Sequence, residues 1–369
     1  MLTRRHLIGG ITSGLTTYSM GRTGISMAFA DAPAEWAKVV AEAKGQSLNL
    51  TTDPYTAHRS VVEVFAKRFP DIKVQINSMH PNDFGPKVIT EQKNNLFAWD
   101  CWWGTCASMN HIALPANALD KVSDFLILPE VKDTSNWSVP DFQYTSKNST
   151  SIFVHTHFLV NYGAYNIELV PGGILTVDNI LDPSLKRMIS IRVPNRPHGG
   201  TMMLASIAKK KGIDYVERLL TAMEPIYVDN DRQNTMSVIR GDTAVGIGTA
   251  EETLYECHKQ SGCGNVKPFP ESVMHSRGVS VLRNAPHKAA ATVWVNWLLS
   301  KEGQDTFVQE WGKYNPTGAF SMRKDVSPDP KHRDSMPDLT QIDQYIGVSL
   351  DSGWEALNAV IKIYNKVRR

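Results

Sequence analysis

The spacing of apolar positions switches between the two common periods along the first part of the chain. "QSLNLTTD" (residues 46–53) alternates like a strand and ends in a Thr/Asp-rich turn, while "HRSVVEVFAKRFP" (58–70) puts Val61, Val62, Phe65 and Phe69 on one helical stripe and stops at Pro70. "IKVQINSM" (72–79) alternates again, and "PKVITEQKNNLF" (86–97) predicts a helix leading into "AWDCWW" (98–103). Strand, helix, strand, helix, strand is the pattern of an α/β lobe with a mostly parallel sheet. Such sheets bind ligands at the carboxyl ends of their strands.

A second unit of the same kind follows. "SIFVHTHFLVNYGAYN" (151–166) is rich in β-branched and aromatic residues, and "MISIRVPN" (188–195) predicts a short strand. A Gly-rich turn opens a helix in "RPHGGTMMLASIAKKKG" (196–212), and residues 226–249 add a turn, a helix and another strand. Residues 278–311 predict a strand, a loop and a long helix, and residues 343–369 hold a final amphipathic helix. With 369 residues, two lobes can each bury a core of their own. There is no internal repeat and no low-complexity linker.

Composition narrows the class. The chain is 42% hydrophobic and 21% charged with a formal charge of +2, as in ordinary soluble proteins, and it lacks the clustered basic face of a nucleic-acid binder. Its basic runs, Lys209 to Lys211 and Lys366, Arg368 and Arg369, suit solvated helix ends. The first 30 residues differ in kind: Arg4 and Arg5, then a Gly/Ser/Thr-rich apolar stretch, then Ala28-Phe29-Ala30. That order predicts a twin-arginine-type export signal at 1–30, cleaved near Ala30, and so a periplasmic protein. Cleavage would remove Arg4, Arg5 and Arg22 and no acid, taking the formal charge from +2 to −1.

That compartment permits disulfides, and the four cysteines fall into two tight pairs, Cys101 with Cys106 and Cys257 with Cys263. Both pairs are expected as local staples, although four cysteines allow three connectivities, and free thiols stay open. Neither pair has the spacing of a thioredoxin-like or zinc-knuckle centre. In "WDCWWGTC" (99–106), alternation sends Trp102 and Trp103 to opposite faces, so at most one of them can wall a binding cleft.

Several segments resemble, in order and spacing, extracellular solute-binding proteins of ABC importers. They are "FAKRFPDIKVQ", "EQKNNLFAWD", "AYNIELV", "IRGDTAVGIG" and "NAPHKAAATVWVNWLLSKEGQDTF". The chain is most similar to the ferric-ion-binding-like branch of the type 2 periplasmic binding proteins, over roughly residues 35–325. The resemblance implies two α/β lobes, each a mostly parallel sheet flanked by helices, joined by crossovers near Val160–Asn166 and Arg277–Leu282. The expected boundaries are 31–160 for the first part of lobe 1, 161–277 for lobe 2, and 278–369 for the return to lobe 1, with C-terminal helices packing across the lobes. It further implies a monomer that closes on one small-molecule solute and docks on a cognate permease of the inner membrane. No cofactor, nucleic-acid partner or catalysis is expected.

Candidate ligand contacts follow from strand ends and glycine turns. In lobe 1 they are Thr52, Asp53 and Tyr55, with Trp102, Gly104 and Thr105 at another strand end. In lobe 2, Arg192 and His198 flank Gly200 and Thr201, a turn with the form of an anion-binding helix start, and Asn230, Arg232 and Gln233 follow a strand. Glu251 completes that set, and His275 and Arg277 lie at the expected second crossover. Arginine in a desolvated cleft suits a carboxylate or phosphate, because its fork binds two oxygens together. A small organic anion is therefore the favoured solute.

Two alternatives remain. Ferric binders of this family carry adjacent tyrosines after the segment matching "GDTAVGIG"; here Thr249 to Glu252 follow it and no Tyr-Tyr pair occurs, so iron would need Glu251, Glu252 and Tyr255. A metal-dependent hydrolase could use His155 and His157, which sit at i and i+2 on one strand face. A sensory protein reporting to a membrane receptor would share the fold.

Overall fold

A computed structural model of the chain describes residues 34–368 apart from 251–252, 255–256, 259–262, 315–317, 333–335, 346 and 348. The expected export signal and Glu251, Glu252 and Tyr255 lie outside the described residues.

The chain opens with α1 (Ala34–Glu42), β1 (Ser47–Thr52), α2 (Thr56–Arg68), β2 (Lys73–Ser78), α3 (Pro81–Lys93) and β3 (Cys101–Thr105). The short α4 (Pro129–Lys132) and the strands β4 (Tyr144–Ser146) and β5 (Ser149–Val160) follow. These strands, with a later strand β11 (Val273–Val281), form a six-stranded sheet in the order β2-β1-β3-β11-β5-β4. β1 runs parallel to β2 and β3, whereas β11 runs antiparallel to β3 and β5.

The stripe on α2 behaves as its spacing requires: Val61, Val62, Phe65 and Phe69 are all buried. Phe65 meets Trp294 edge-on at 5.0 Å, and Trp103 meets the same ring at 5.5 Å. Each such buried ring contributes about 2–3 kcal/mol of hydrophobic stabilisation, so this aromatic cluster is the anchor of the first lobe. The opposite face of the sheet carries a second core around Phe84, on which Trp102 stacks at 5.2 Å.

The second lobe is built on a five-stranded sheet ordered β10-β6-β9-β7-β8. Its strands are β6 (Gly163–Asn166), β7 (Ile189–Arg192), β8 (Ile226–Val228), β9 (Val245–Ile247) and β10 (Val266–Pro268), interleaved with α5 (Gly199–Lys211), α6 (Ile213–Thr221) and α7 (Asp231–Arg240). The first crossing falls at residues 161–162, within the expected range. The second falls at 269–272 rather than at 277–282, because the whole of Val273–Val281 is a buried strand of the first sheet. Arg277 is therefore mid-strand, not at the crossover.

After β11 come α8 (Lys288–Leu299), α9 (Lys301–Tyr314) and the final α10 (Asp351–Val367). Helix α10 buries Leu357, Val360 and Tyr364 in the core of the second lobe. Its first turn holds the other lobe: Asn110 donates to Asp351 Oδ1 at 3.0 Å, and Trp354 stacks on His111 at 4.1 Å.

Of the two expected staples one is present. Cys257 and Cys263 form a disulfide with their Cα atoms 5.5 Å apart. Cys101 and Cys106 are free and buried. An extended strand separates positions five apart by about 16 Å, and odd spacing turns them to opposite faces. Accordingly Cys101 packs with Trp103 and Cys106 with Trp102, in different cores.

Candidate functional site

Three strand segments meet at the edge of the first sheet that faces the crossings. β1 delivers Thr52 and Asp53, β3 delivers Gly104 and Thr105, and β11 delivers Arg277, which lies opposite Thr105 in the register. Asp53 is 2% exposed and accepts two bonds from Thr105, at 2.8 Å from the backbone N–H and 3.3 Å from Oγ1. Gly104 is required there, since a Cβ would come within 2.8 Å of the Asp53 carboxyl. Burial raises the Asp53 pKa above its ordinary value, with Arg277 and the Thr105 bonds pulling the other way. Thr52 is buried and bonds the Asp53 carbonyl at 3.1 Å.

Arg277 is the unusual group. It is 7% exposed, and its Cζ lies 4.4 Å from the centre of the Phe158 ring and 4.0 Å from that of Trp311. No described residue hydrogen-bonds or ion-pairs with its guanidinium, and Nε is buried without a partner. β11 stays in register with β3 through Arg277 and Gly278, while opposite them β5 carries His155 as the extra residue of a β-bulge. A buried arginine normally spends its five donors on protein acceptors, because an unpaired buried charge is costly. Here the two rings hold the cation through their π faces and leave its donor edge unused.

The three histidines packed around Arg277 add no cation at neutral pH. Burial, reinforced by Arg277, takes His275 down to about 4. Burial and then Arg277 take His155 to about 3, and the same two causes hold His58 well below its ordinary value. His58 is wedged edge-on between Trp103 and Trp311 at 4.5 and 4.7 Å. Tyr55 is 46% exposed and meets the edge of Trp311 at 6.0 Å. Tyr162, in the first crossing, bonds His275 through its hydroxyl at 3.0 Å and lies against Gly199, where any side chain would meet its ring.

The second lobe presents its sequence candidates differently from expectation. The Gly199-Gly200-Thr201 helix start is already occupied: His198 Nδ1 accepts from the Gly200 and Thr201 N–H groups at 3.1 and 3.4 Å, while its Nε2 donates to the Val193 carbonyl at 2.8 Å. Burial takes His198 to about 4, the protonation state that this cap needs. Thr201 Oγ1 is also committed, to the Arg196 carbonyl at 2.6 Å. Arg192 pairs with Asp231 at 3.2 Å. Asn230 caps α7 by accepting from Gln233 N–H at 2.7 Å, and exposed Arg232 and Gln233 line a shallow groove with Ile226 and Arg240.

Trp102 is a correction: it is fully buried against Phe84 and forms no cleft wall. The histidine pair is another. His155 accepts from Trp103 Nε1 at 3.0 Å, His157 bonds Ser276 at 2.8 Å, and among the described residues no three His, Cys, Asp or Glu side chains converge as metal ligands. The sequence reading missed Phe158, Trp311, His58 and Tyr162. Trp311 and His58 sit on helix stripes that read as core, so periodicity offered no signal for them.

Residues 147–312 match the model of the bacterial extracellular solute-binding protein family. Among solved structures, the chain is similar to IdiA (FutA) from Trichodesmium, determined with iron and citrate ligands: TM-score 0.63, 17% identity, covering 87% of this chain and 99% of that one. It is also similar to the periplasmic binding protein AfuA from Actinobacillus pleuropneumoniae with fructose-6-phosphate bound, at TM-score 0.61 and 20% identity over 88% and 99% of the two chains. The fold is that of the two-lobed type 2 periplasmic binding proteins.

Iron-bound HitA from Pseudomonas aeruginosa shares this binding-protein fold, at TM-score 0.59 and 19% identity over 86% and 99% of the chains. An uncharacterized Haemophilus influenzae protein is 24% identical over 155 residues, which span 40% of this chain and 44% of that protein. The match thus covers less than half the length of that curated relative. No helix among the described residues is long and apolar enough to cross a membrane.

Proposed function

We propose that the protein is the periplasmic solute-binding component of an ABC import system and that it captures a small organic anion between its lobes. Export by the N-terminal twin-arginine-type signal, cleavage near Ala30 and a monomeric mature chain belong to this reading. Closure follows from a solute that touches both lobes, since such a solute stabilises the closed state in proportion to its differential affinity. The permease then recognises the closed surface.

What supports the anion is Arg277. Arg277 is a buried residue whose guanidinium lies against Phe158 and Trp311 and finds no hydrogen-bond acceptor among the described residues, which makes it a donor group suited to a negative ligand. Asp53 positions Thr105 beside it, and Tyr55 and Tyr162 give the surrounding surface an aromatic character.

The test is a thermal-shift screen of the purified chain against sugar phosphates, phosphonates, carboxylates, ferric citrate, polyamines and thiamine, followed by calorimetry on each hit. The expected hit is an anion whose Tm shift grows with the logarithm of its concentration over Kd, and whose binding Arg277→Gln weakens by about 100-fold or more. A hit confined to cations or neutral solutes, or an anion indifferent to Arg277→Gln, overturns the reading.

A further inference from the structure

We infer that the solute is a ring-bearing monocarboxylate, its carboxylate in the plane of the Arg277 guanidinium and its ring against Tyr55 and Tyr162. This inference rests on the anion-capture reading and narrows it.

The argument begins with how much positive charge is free. Arg192 is spent on Asp231, and Arg232 stands in the exposed groove beside α7, so Arg277 alone among the arginines assigned from the sequence is buried with no carboxylate hydrogen-bonded to it among the described residues. The starts of α5 and α7 are spent too. Gly200 and Thr201 N–H groups point at His198 Nδ1, and Gln233 and Arg232 N–H groups are taken by Asn230 and Asp231 at 2.7 and 2.9 Å. His58, His155 and His275 are buried next to a cation, which keeps their rings neutral.

A phosphate monoester brings close to two charges and three strongly accepting oxygens, and it usually meets several cations or a free helix N-terminus. One guanidinium faced by the buried carboxyl of Asp53 is a poor match for it. A carboxylate brings one charge and two coplanar oxygens. Phe158 and Trp311 flank the guanidinium with their ring centres 4.4 and 4.0 Å from Cζ, and its planar fork pairs best with a planar acceptor.

The rest of the surface indicates what the carboxylate is attached to. Two sets of ring contacts flank Arg277: Tyr55 meets Trp311 at 6.0 Å, and Phe158 meets His275 at 5.6 Å, which meets Tyr162 at 5.7 Å. Tyr55 is exposed and Phe158 and Tyr162 are part-exposed, so ring faces border the charged edge. Such a border stacks on an aromatic or sugar ring and gives little to a small inorganic anion.

The test is isothermal titration of the full mature chain with two matched pairs, benzoate against phenyl phosphate and glucuronate against glucose 6-phosphate. In at least one pair the carboxylate is expected to bind about 10-fold or more tightly than its phosphate partner, and the responding pair tells aromatic from sugar acid. Arg277→Lys, checked for an unchanged melting curve, is expected to weaken that carboxylate by about 30-fold or more, since a point charge replaces the fork. Tyr55→Ala, at an exposed position that leaves folding intact, should weaken the ring-bearing acid by about 10-fold and leave acetate unaffected. Tighter binding of the phosphate in every pair that responds overturns the inference while anion capture stands. If none of the four binds and ferric citrate does, the ring-bearing acid is wrong while anion capture stands; if only a polyamine or thiamine binds, anion capture itself is wrong.

Discussion

Asp53 and Thr105 fasten the ends of β1 and β3 to each other: the Thr105 N–H donates to Asp53 Oδ2 at 2.8 Å and the Thr105 hydroxyl to Oδ1 at 3.3 Å. Burial raises the pKa of this carboxyl, so the folded state takes up a proton more readily than the unfolded chain. Its contribution to stability is therefore greatest at low pH and declines as pH rises from about 4 through the raised value. Asp53→Asn keeps an acceptor for the N–H, gains a donor for the hydroxyl and cannot ionise. In urea unfolding the variant is expected within about 1 kcal/mol of the parent at pH 7, and the parent should gain on it as pH falls toward 4. A difference that does not change with pH, or that changes in the opposite direction, would refute this account.

Three buried histidines and the part-buried His198 act in the other direction. His155 is held at about 3, His198 and His275 at about 4, and His58 lower than its ordinary value, while unfolded histidine titrates near 6.5. The unfolded chain thus binds more protons as pH drops below about 6.5, and stability present at neutral pH is lost as pH falls toward the folded values. Between pH 6.5 and 4.5 each group removes up to about 2–3 kcal/mol. His198→Asn preserves a capping acceptor and deletes one titration, so its stability-versus-pH slope in that window should be shallower by about one proton. An unchanged slope would show that His198 is not neutral in the fold.

Thiol chemistry separates the two cysteine pairs. Burial pushes the Cys101 thiol up, and burial together with Asp53 does the same for Cys106. Ellman's reagent is expected to find no reactive thiol in the native, oxidised protein and two after denaturation. Reducing Cys257–Cys263, which closes a short loop of sequence separation 6, should cost about 2 kcal/mol. Four thiols in the denatured, unreduced protein would contradict the bridge.

Periodicity made the scaffold legible. β1, α2, β2 and β7 fall where alternation and the Val61, Val62, Phe65, Phe69 stripe placed them, because burial on one face leaves a fixed period in the sequence. The same alternation could have ruled out a Cys101–Cys106 bridge, since odd spacing on a strand separates faces. The site was only half legible. Gly-Gly-Thr reads alike whether its N–H groups face a ligand or, as here, the His198 ring, and nothing local to Arg277 announces that Phe158 and Trp311 enclose it. Those partners arrive from β5 and α9, so they are set by strand register and helix docking and not by any short motif.

The close packing of β11 at Gly278, next to Arg277, links fold to site, and it yields the most direct structural test. A Cβ at position 278 would lie 2.8 Å from Cys106 Sγ and against the Phe153 carbonyl, so Gly278→Ala has to push β11 away from β3 or β5. Overpacking a filled core costs about 1–3 kcal/mol, and here the displaced backbone carries the Arg277 side chain out from between its two rings. Calorimetry at a temperature where the variant is fully folded should therefore show anion affinity reduced by about 10-fold or more, an effect that stability loss alone does not produce. Gly172→Ala, at a position with nothing within 4 Å, is the control and should change neither melting nor binding. Full affinity in folded Gly278→Ala would mean that the placement of β11 at Gly278 does not aim Arg277, and that the rings alone suffice to hold it.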